Sequence, residues 1–385
     1  MCRIIGIILF PLFISCKKEI VNPKNYGYSI PHAIGDNISV RDIHLYNLDT
    51  TLLFNLNKEL IDENIYNVHS VLIYKDGALF YEKYLCGKDE KHGKDLGIRQ
   101  HGISDLHDVR SISKSVVSAC IGIAISKGLI KDENEPIKKF FPEIFNNGNT
   151  KSGITIKNLL TMSSGLCWKE IGDYNKLLND ETKMDLSFNP IRFVLDKQMI
   201  NEAGTKWNYS AGNTQVLAEI IKKVSGKDIY AFAAENIFQP LSINQSEWIC
   251  LSMKKTPAAA SGLRLSSREL LKLGITYKDN GRFNHTQVLD SAWVNKSICK
   301  QIERPDLTNL NLVNGGYGYQ FWTYDFTVKN NNLKIAEGKG NGGQSIFICQ
   351  QLDLVVVITA GNYGNINGNK IPYQILKEYI LPSLL

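Results

Sequence analysis

The spacing of apolar residues changes character twice along the chain. From Val68 to Leu85, "VHSVLIYKDGALFYEKYL" gives two β-branched and aromatic runs around Asp76-Gly77, a pair suited to the positive φ of a tight hairpin turn. From Ser111 the period lengthens to three and four. A helix is predicted from near Ser111 to Lys127, with Asp108 placed to cap its start and Gly128 to end it. "TIKNLLTMSSGL", "NTQVLAEIIKKVSG" and "SSRELLKLGITYKDNG" keep that helical spacing. The last quarter reverts to short runs broken by Gly and Asn: "YGYQFWTYDF", "LKIAEGKG", "QSIFICQQ" and "LDLVVVITAG", before a closing helix in "NKIPYQILKEYILPSLL". Strands at both ends and helices between them predict an α+β fold, an α/β sandwich. One antiparallel sheet would be built from the N- and C-terminal segments and flanked by helices, with a mainly helical insertion over about 115–310.

The extreme N-terminus has a different pattern. "MCRIIGIILFPLFISCKKE" places Arg3 before an apolar run from Ile4 to Ile14, the length of a signal-peptide core and short for a bilayer span. Its end, "LFISC", resembles a bacterial lipobox, which implies a lipid on Cys16; Phe13 departs from the usual leucine. The chain thus divides into a signal peptide (1–15), a lipidated tether (16–50) and a folded domain (51–385), held at the bacterial cell envelope on its periplasmic or outer-membrane face. A net charge of +6 without a basic block gives no footprint for nucleic acid. Beyond Cys2 and Cys16, six cysteines stand far apart without CxxC spacing, which reads as scattered buried thiols. The seven histidines form no HExxH, so no metal is expected.

Three places carry candidate chemistry. Ser111 and Lys114 lie one helical turn apart on one face, so the amine can reach the hydroxyl. The first turn of a helix also presents unpaired N–H groups, which favour developing negative charge. Burial disfavours an ammonium and turns a lysine into a usable base. SxxK alone is common: it recurs at Ser15, Ser252 and Ser297, and only the Ser111 copy opens a long apolar helix. From spacing alone the pair is either nucleophile and base, or a helix-end serine beside a snorkelling lysine. Tyr209, in "KWNYSAGN", precedes another amphipathic helix and can relay a proton, or be a half-buried structural tyrosine. "EGKGNGGQSIF" satisfies GxGxxG formally, but a strand follows where a dinucleotide site needs a helix. It reads better as a glycine-lined edge strand with a free N–H turned into a cleft.

In this order, Ser111-Ile-Ser-Lys114, "YSA" at Tyr209 and the "GNGGQ" strand resemble the serine β-lactamase and penicillin-binding-protein family. More narrowly they are similar to the class C β-lactamase-like hydrolases, among them esterases and 6-aminohexanoate-oligomer hydrolases. "ITIKNLLTMSSGL" and "GLRLSSRELLKLG" carry the likeness further, from about His69 to the C-terminus. The resemblance implies that Ser111 is acylated, that Lys114 accepts its proton, and that Tyr209 assists. It also implies an oxyanion hole from the backbone N–H groups of Ser111 and Gln344.

Departures from the family pattern bear on substrate. The family's Tyr-x-Asn is Tyr209-Ser210-Ala211, and its Lys-Thr-Gly or His-x-Gly triplet is Asn341-Gly342-Gly343, so the usual carboxylate-gripping cation is missing. Asn341, Gly342, Gly343 and Trp168 are the candidate substrate contacts. The sequence thus implies an envelope-anchored serine hydrolase acting through an acyl-enzyme on a small ester or amide, or on a cell-wall-derived substrate, without a cofactor. The alternatives are a penicillin-binding D,D-carboxypeptidase-like protein and a non-catalytic envelope lipoprotein.

Overall fold

A computed structural model describes residues 26–145, 150–170, 178–304 and 312–385; the signal segment and Cys16 lie outside them. Its centre is an antiparallel sheet of eight strands. β1 (Val68–Lys75) and β2 (Ala78–Tyr84) form the expected hairpin, with Asp76 and Gly77 both at positive φ. From the C-terminal part come β3 (Ile302–Glu303), β4 (Val313–Tyr317), β5 (Trp322–Val328), β6 (Asn331–Gly340), β7 (Gln344–Cys349) and β8 (Leu354–Ala360). The spatial order is β3-β4-β5-β6-β7-β8-β1-β2, so the two ends of the chain meet where β8 pairs with β1.

Every residue of β8 is buried, because both faces of the sheet are covered. Val356 and Ile358 face α1 (Thr50–Ile61) and the closing helical segment from Ile371 to Ser383. Val355 and Val357, alternating with them, face the larger core shared with α2 (Ile112–Ser126), α3 (Ala211–Ser225) and α4 (Ser267–Lys278). Local signals set the helix ends: α4 starts in a Ser266–Glu269 capping box, and α3 stops at Gly226 in the left-handed conformation.

Three expectations need correction. The segment expected to be a tether is packed from Tyr26 onward. Ile38 and Ile43 are buried, and Asp36 pairs at 3.2 Å with the buried Arg268. α1 follows, capped by Asp49. Asp108 does not cap α2; its carboxylate accepts from Arg264 Nε at 2.7 Å and from the backbone N–H of His92. The six cysteines are free, yet only Cys120 and Cys349 are buried. Among the described residues no helix is long and apolar enough to cross a membrane.

Candidate active site

Ser111 sits at the first turn of α2, directly after Arg110, a non-glycine residue in the left-handed region (φ +49°). Such backbone costs energy and persists only where the surroundings hold it. Here Arg110 is anchored at both ends. Its carbonyl accepts from Ser113 Oγ at 2.6 Å, while its guanidinium pairs with Glu90 and lies 4.9 Å from the Tyr363 ring. The sharp turn presents Ser111 to a cleft of about 310 Å3 that is also lined by Glu170, Trp207, Tyr209, Trp322, Lys339 and Asn341.

Lys114 is 1% exposed, so it is not a surface cation. Its Nζ lies 2.9 Å from Ser111 Oγ, 3.0 Å from the carbonyl of Ala260 and 4.9 Å from the centre of the Tyr209 ring. Tyr209 approaches from the loop before α3 and lines the cleft beside Ser111. Burial pushes its phenol well above the ordinary range; the Glu170 carboxyl adds to that rise and the Ser111 hydroxyl opposes it. The structure therefore brings Tyr209, from the loop before α3, to Ser111 and Lys114 at the start of α2.

Glu170 stands beside them and was not read from the sequence. One carboxyl oxygen accepts from Trp168 Nε1 at 2.7 Å and from the Ala211 N–H at 2.6 Å. The other, Oε1, is buried without a partner among the described residues. Burial, with repulsion from Glu181, raises its acid to about 8, against the pull of Lys114. Trp168 is thus displaced from its expected role: it is 5% exposed, packed over Gly212, and its indole holds Glu170 rather than lining the cleft.

The glycine-rich strand also differs from expectation. β6 is interior, between β5 and β7, but its pairing with β5 ends at Trp322–Glu337. Gly338 to Gly340 run on with β7 alone, so an interior strand has an open edge only at its end, beside α2. Gly340 is required there, since a Cβ would lie 2.2 Å from the carbonyl of Val109. Gln344 turns away from the cleft: it is fully buried, and its amide bonds both backbone groups of Ala360. Gly342 and Gly343 form the turn at φ near +94° and +93°, packed against Tyr363 and Ala360. Of the four expected contacts, only Asn341 lines the cleft.

Lys339 also lines it, correcting the expectation that a cation is missing. Strand alternation puts residues 339 and 341 on one side, a signal available in the sequence. The rest of the wall is aromatic. Trp322 lies 5.3 Å from Tyr209 and 5.6 Å from Trp207, ring centre to ring centre.

A second cluster lies outside the cleft. His69, His101 and His107 are buried, with one ring nitrogen each within 4.8 Å of the others. His69 and His101 stack face to face at 3.8 Å and 17°, which sends their in-plane lone pairs along parallel lines rather than toward a common ion. Burial keeps all three neutral: it lowers His69 to about 3, His101 to about 4, and His107 well below its usual value.

An antiparallel sheet clothed by helices, with a serine at the start of a buried helix, defines the β-lactamase and transpeptidase-like class of serine hydrolases. The chain belongs to the β-lactamase family, whose model matches residues 65–377. It is 23% identical over 267 residues to the 6-aminohexanoate-dimer hydrolase of Paenarthrobacter ureafaciens, a match covering 66% of this chain and 65% of that one, just under two thirds of the relative's length. Among solved structures it is similar to EstCE1, described as a hydrolase with promiscuous acyltransferase activity (TM-score 0.68, 15% identity, 86% of this chain and 98% of the other). It is also similar to the octameric penicillin-binding protein homologue from Pyrococcus abyssi (TM-score 0.62, 19% identity, 85% and 76%). These structural likenesses carry the fold.

Proposed function

We propose that the protein is a serine hydrolase that cleaves ester or amide bonds through an acyl-enzyme on Ser111, in the manner of the class C β-lactamase-like hydrolases. The observation that carries this reading is the buried Lys114 amine 2.9 Å from Ser111 Oγ, with the Tyr209 ring 4.9 Å from the same amine. Lys114 takes the serine proton while Oγ attacks the carbonyl carbon. Tyr209, held protonated by burial, then protonates the leaving group. The oxyanion would be met by the backbone N–H of Ser111 and, in place of the Gln344 N–H that the resemblance implied, that of Asn341, because Asn341 lines the cleft and Gln344, the first residue of β7, does not. Labelling with a fluorophosphonate followed by peptide mapping tests this; an adduct elsewhere than Ser111, or none, removes the reading.

The second part concerns location. The lipobox-like "LFISC" supports lipidation of Cys16 and attachment to the cell envelope. Metabolic incorporation of a labelled fatty acid, lost in Cys16→Ser, is the expected result; label retained in that variant counts against the anchor. A penicillin-binding, D,D-carboxypeptidase-like role is the alternative that Lys339 favours, because it returns a cation to the cleft. Covalent labelling by fluorescent penicillin distinguishes the two.

A further inference from the structure

We infer that Glu170 is a positioning residue: its buried carboxyl pins the loop that presents Tyr209 to Ser111 and Lys114. This rests on the serine-hydrolase reading and adds a residue to the working of the same site.

Tyr209 belongs to no helix or strand, so its neighbours must fix it. Asn208, just before it, donates its backbone N–H to the Met162 carbonyl at 2.7 Å and its side-chain amide to the Trp168 carbonyl at 3.1 Å. Ser210, just after it, caps α3 and donates its backbone N–H to Met162 Sδ at 3.3 Å. Ala211 opens α3, and its N–H is one of those that a helix start leaves unpaired. Glu170 Oε2 accepts it at 2.6 Å. The same oxygen accepts from Trp168 Nε1 at 2.7 Å, and the Trp168 ring fills the space over Gly212, where a Cβ would lie 2.8 Å from it. Residues 208, 210 and 211 are therefore all held by segment 162–170, and Glu170 is the ionisable member of that clasp.

Both donors meet Oε2, while Oε1 is buried without a partner among the described residues. A lone buried oxygen is tolerated more easily on a neutral acid than on a carboxylate. The groups facing Glu170 are Lys114 from α2, Tyr209, Tyr317 at the end of β4, and Glu181 from the short helix Asp180–Asp185. Lys197, 5.7 Å from the Trp168 ring, is paired with Asp180 at 2.9 Å. Burial and Glu181 outweigh Lys114, so the acid stays neutral until about pH 8. Once ionised, it sets a negative charge beside Tyr209 and makes the phenol hold its proton more firmly. The clasp thus presents Tyr209 as a proton donor only while Glu170 carries a proton of its own.

The test uses two esters that give the same butyryl-enzyme. Ethyl butyrate releases an alkoxide that needs a proton, whereas p-nitrophenyl butyrate releases a stable phenolate. Glu170→Leu, which cannot accept the Ala211 N–H, should lower kcat/KM for ethyl butyrate about ten- to a hundredfold, and for p-nitrophenyl butyrate far less. In a Tyr209→Phe background the same change should add under about twofold, because both act through one phenol. Glu170→Gln keeps an acceptor and should recover most of the ethyl butyrate turnover. Wild-type kcat/KM for that ester should fall as pH rises through about 8, and the fall should be absent from Glu170→Gln. Equal losses on the two esters, additive losses with Tyr209→Phe, or an alkaline fall unchanged in Glu170→Gln overturns the assignment. Should Glu170→Leu fail to fold, Ala211→Pro removes the N–H alone, at the first helical position where proline is tolerated. It must then show the same split between the esters, and an even loss overturns the assignment. Turnover of both esters no higher than in Ser111→Ala fails the hydrolase reading instead. In that event crystal structures of the wild type and of whichever variant folds decide the role of Glu170: a Tyr209 ring shifted away from Lys114 supports it, and an unmoved ring overturns it.

Discussion

At the scale of single residues, the amine beside Ser111 carries the chemistry. Lys114→Met conserves much of the buried volume but removes the base. Ester turnover should fall by about 10²–10⁴-fold with folding intact, as read by steady-state rates and a melting curve. Glu170 supplies a test of the opposite kind. Its carboxyl is raised in the folded protein to about 8, so its contribution is fully present below the unfolded carboxyl range, near 4.5, and is lost as pH rises through 8. Glu170→Gln cannot ionise. The melting temperature of the wild type should therefore decline relative to the variant between those limits, and parallel curves would refute the assignment. Spacing and local helix starts singled out Ser111, Lys114 and Tyr209 without deciding between catalytic and structural roles; their order along the chain, matching the family's motifs, gave them their roles. Glu170 was not singled out, since one acidic residue after a tryptophan gives no sign that both will be buried. Lys339 was overlooked because a triplet comparison looks at positions 341–343 and not two residues earlier on the same side of the strand.

At the scale of elements, the cleft depends on how closely β6 approaches the turn before Ser111. Gly340→Ala would press a methyl into the Val109 carbonyl and move the strand end outward. A displacement of about 1 Å at the reacting groups can cost 10²-fold in rate, so turnover should drop by that order while thermal stability changes less. In α2, Gly122 faces the ring of Trp293, with an added Cβ only 2.6 Å away. Helix propensity alone favours alanine by about 1 kcal/mol, yet overpacking of about 1–3 kcal/mol should prevail. Gly122→Ala is therefore expected to destabilise, as measured by denaturant midpoint. The hairpin β1–β2, the helices α2 to α4 and the late strands followed from periodicity and turn chemistry. The polar hairpin spanning Cys86–Lys91 and Lys94–Gln100 did not: its outer strand is exposed along nearly its whole length, so no alternation was written into it. α1, at the start of the expected folded domain, was not read, although Leu53, Leu56 and Leu60 repeat at helical spacing.

At the scale of the whole molecule, the order of strands follows from strand-rich ends around a helical middle. The sequence could not tell which strand would be interior, because that depends on pairing partners hundreds of residues away. Folding also buries the three neutral histidines between the sheet and its neighbouring hairpin. All are lowered in the folded state, so their contribution is complete above about pH 6.5 and is lost as pH falls toward 3. Denaturant unfolding between pH 7 and 4 should show stability falling by up to about 1.4 kcal/mol per pH unit for each histidine that stays neutral; a shallower decline in His101→Asn would tie the effect to the cluster. The pairing of β1 with β8 has one more consequence. Residues 68–75 find their partner at 354–360, so ribosomal synthesis delivers the second half of the ladder roughly 15–60 s after the first, at about 5–20 residues per second. The nascent polypeptide must wait for its own tail, and the sheet cannot close until both halves of that ladder have been made.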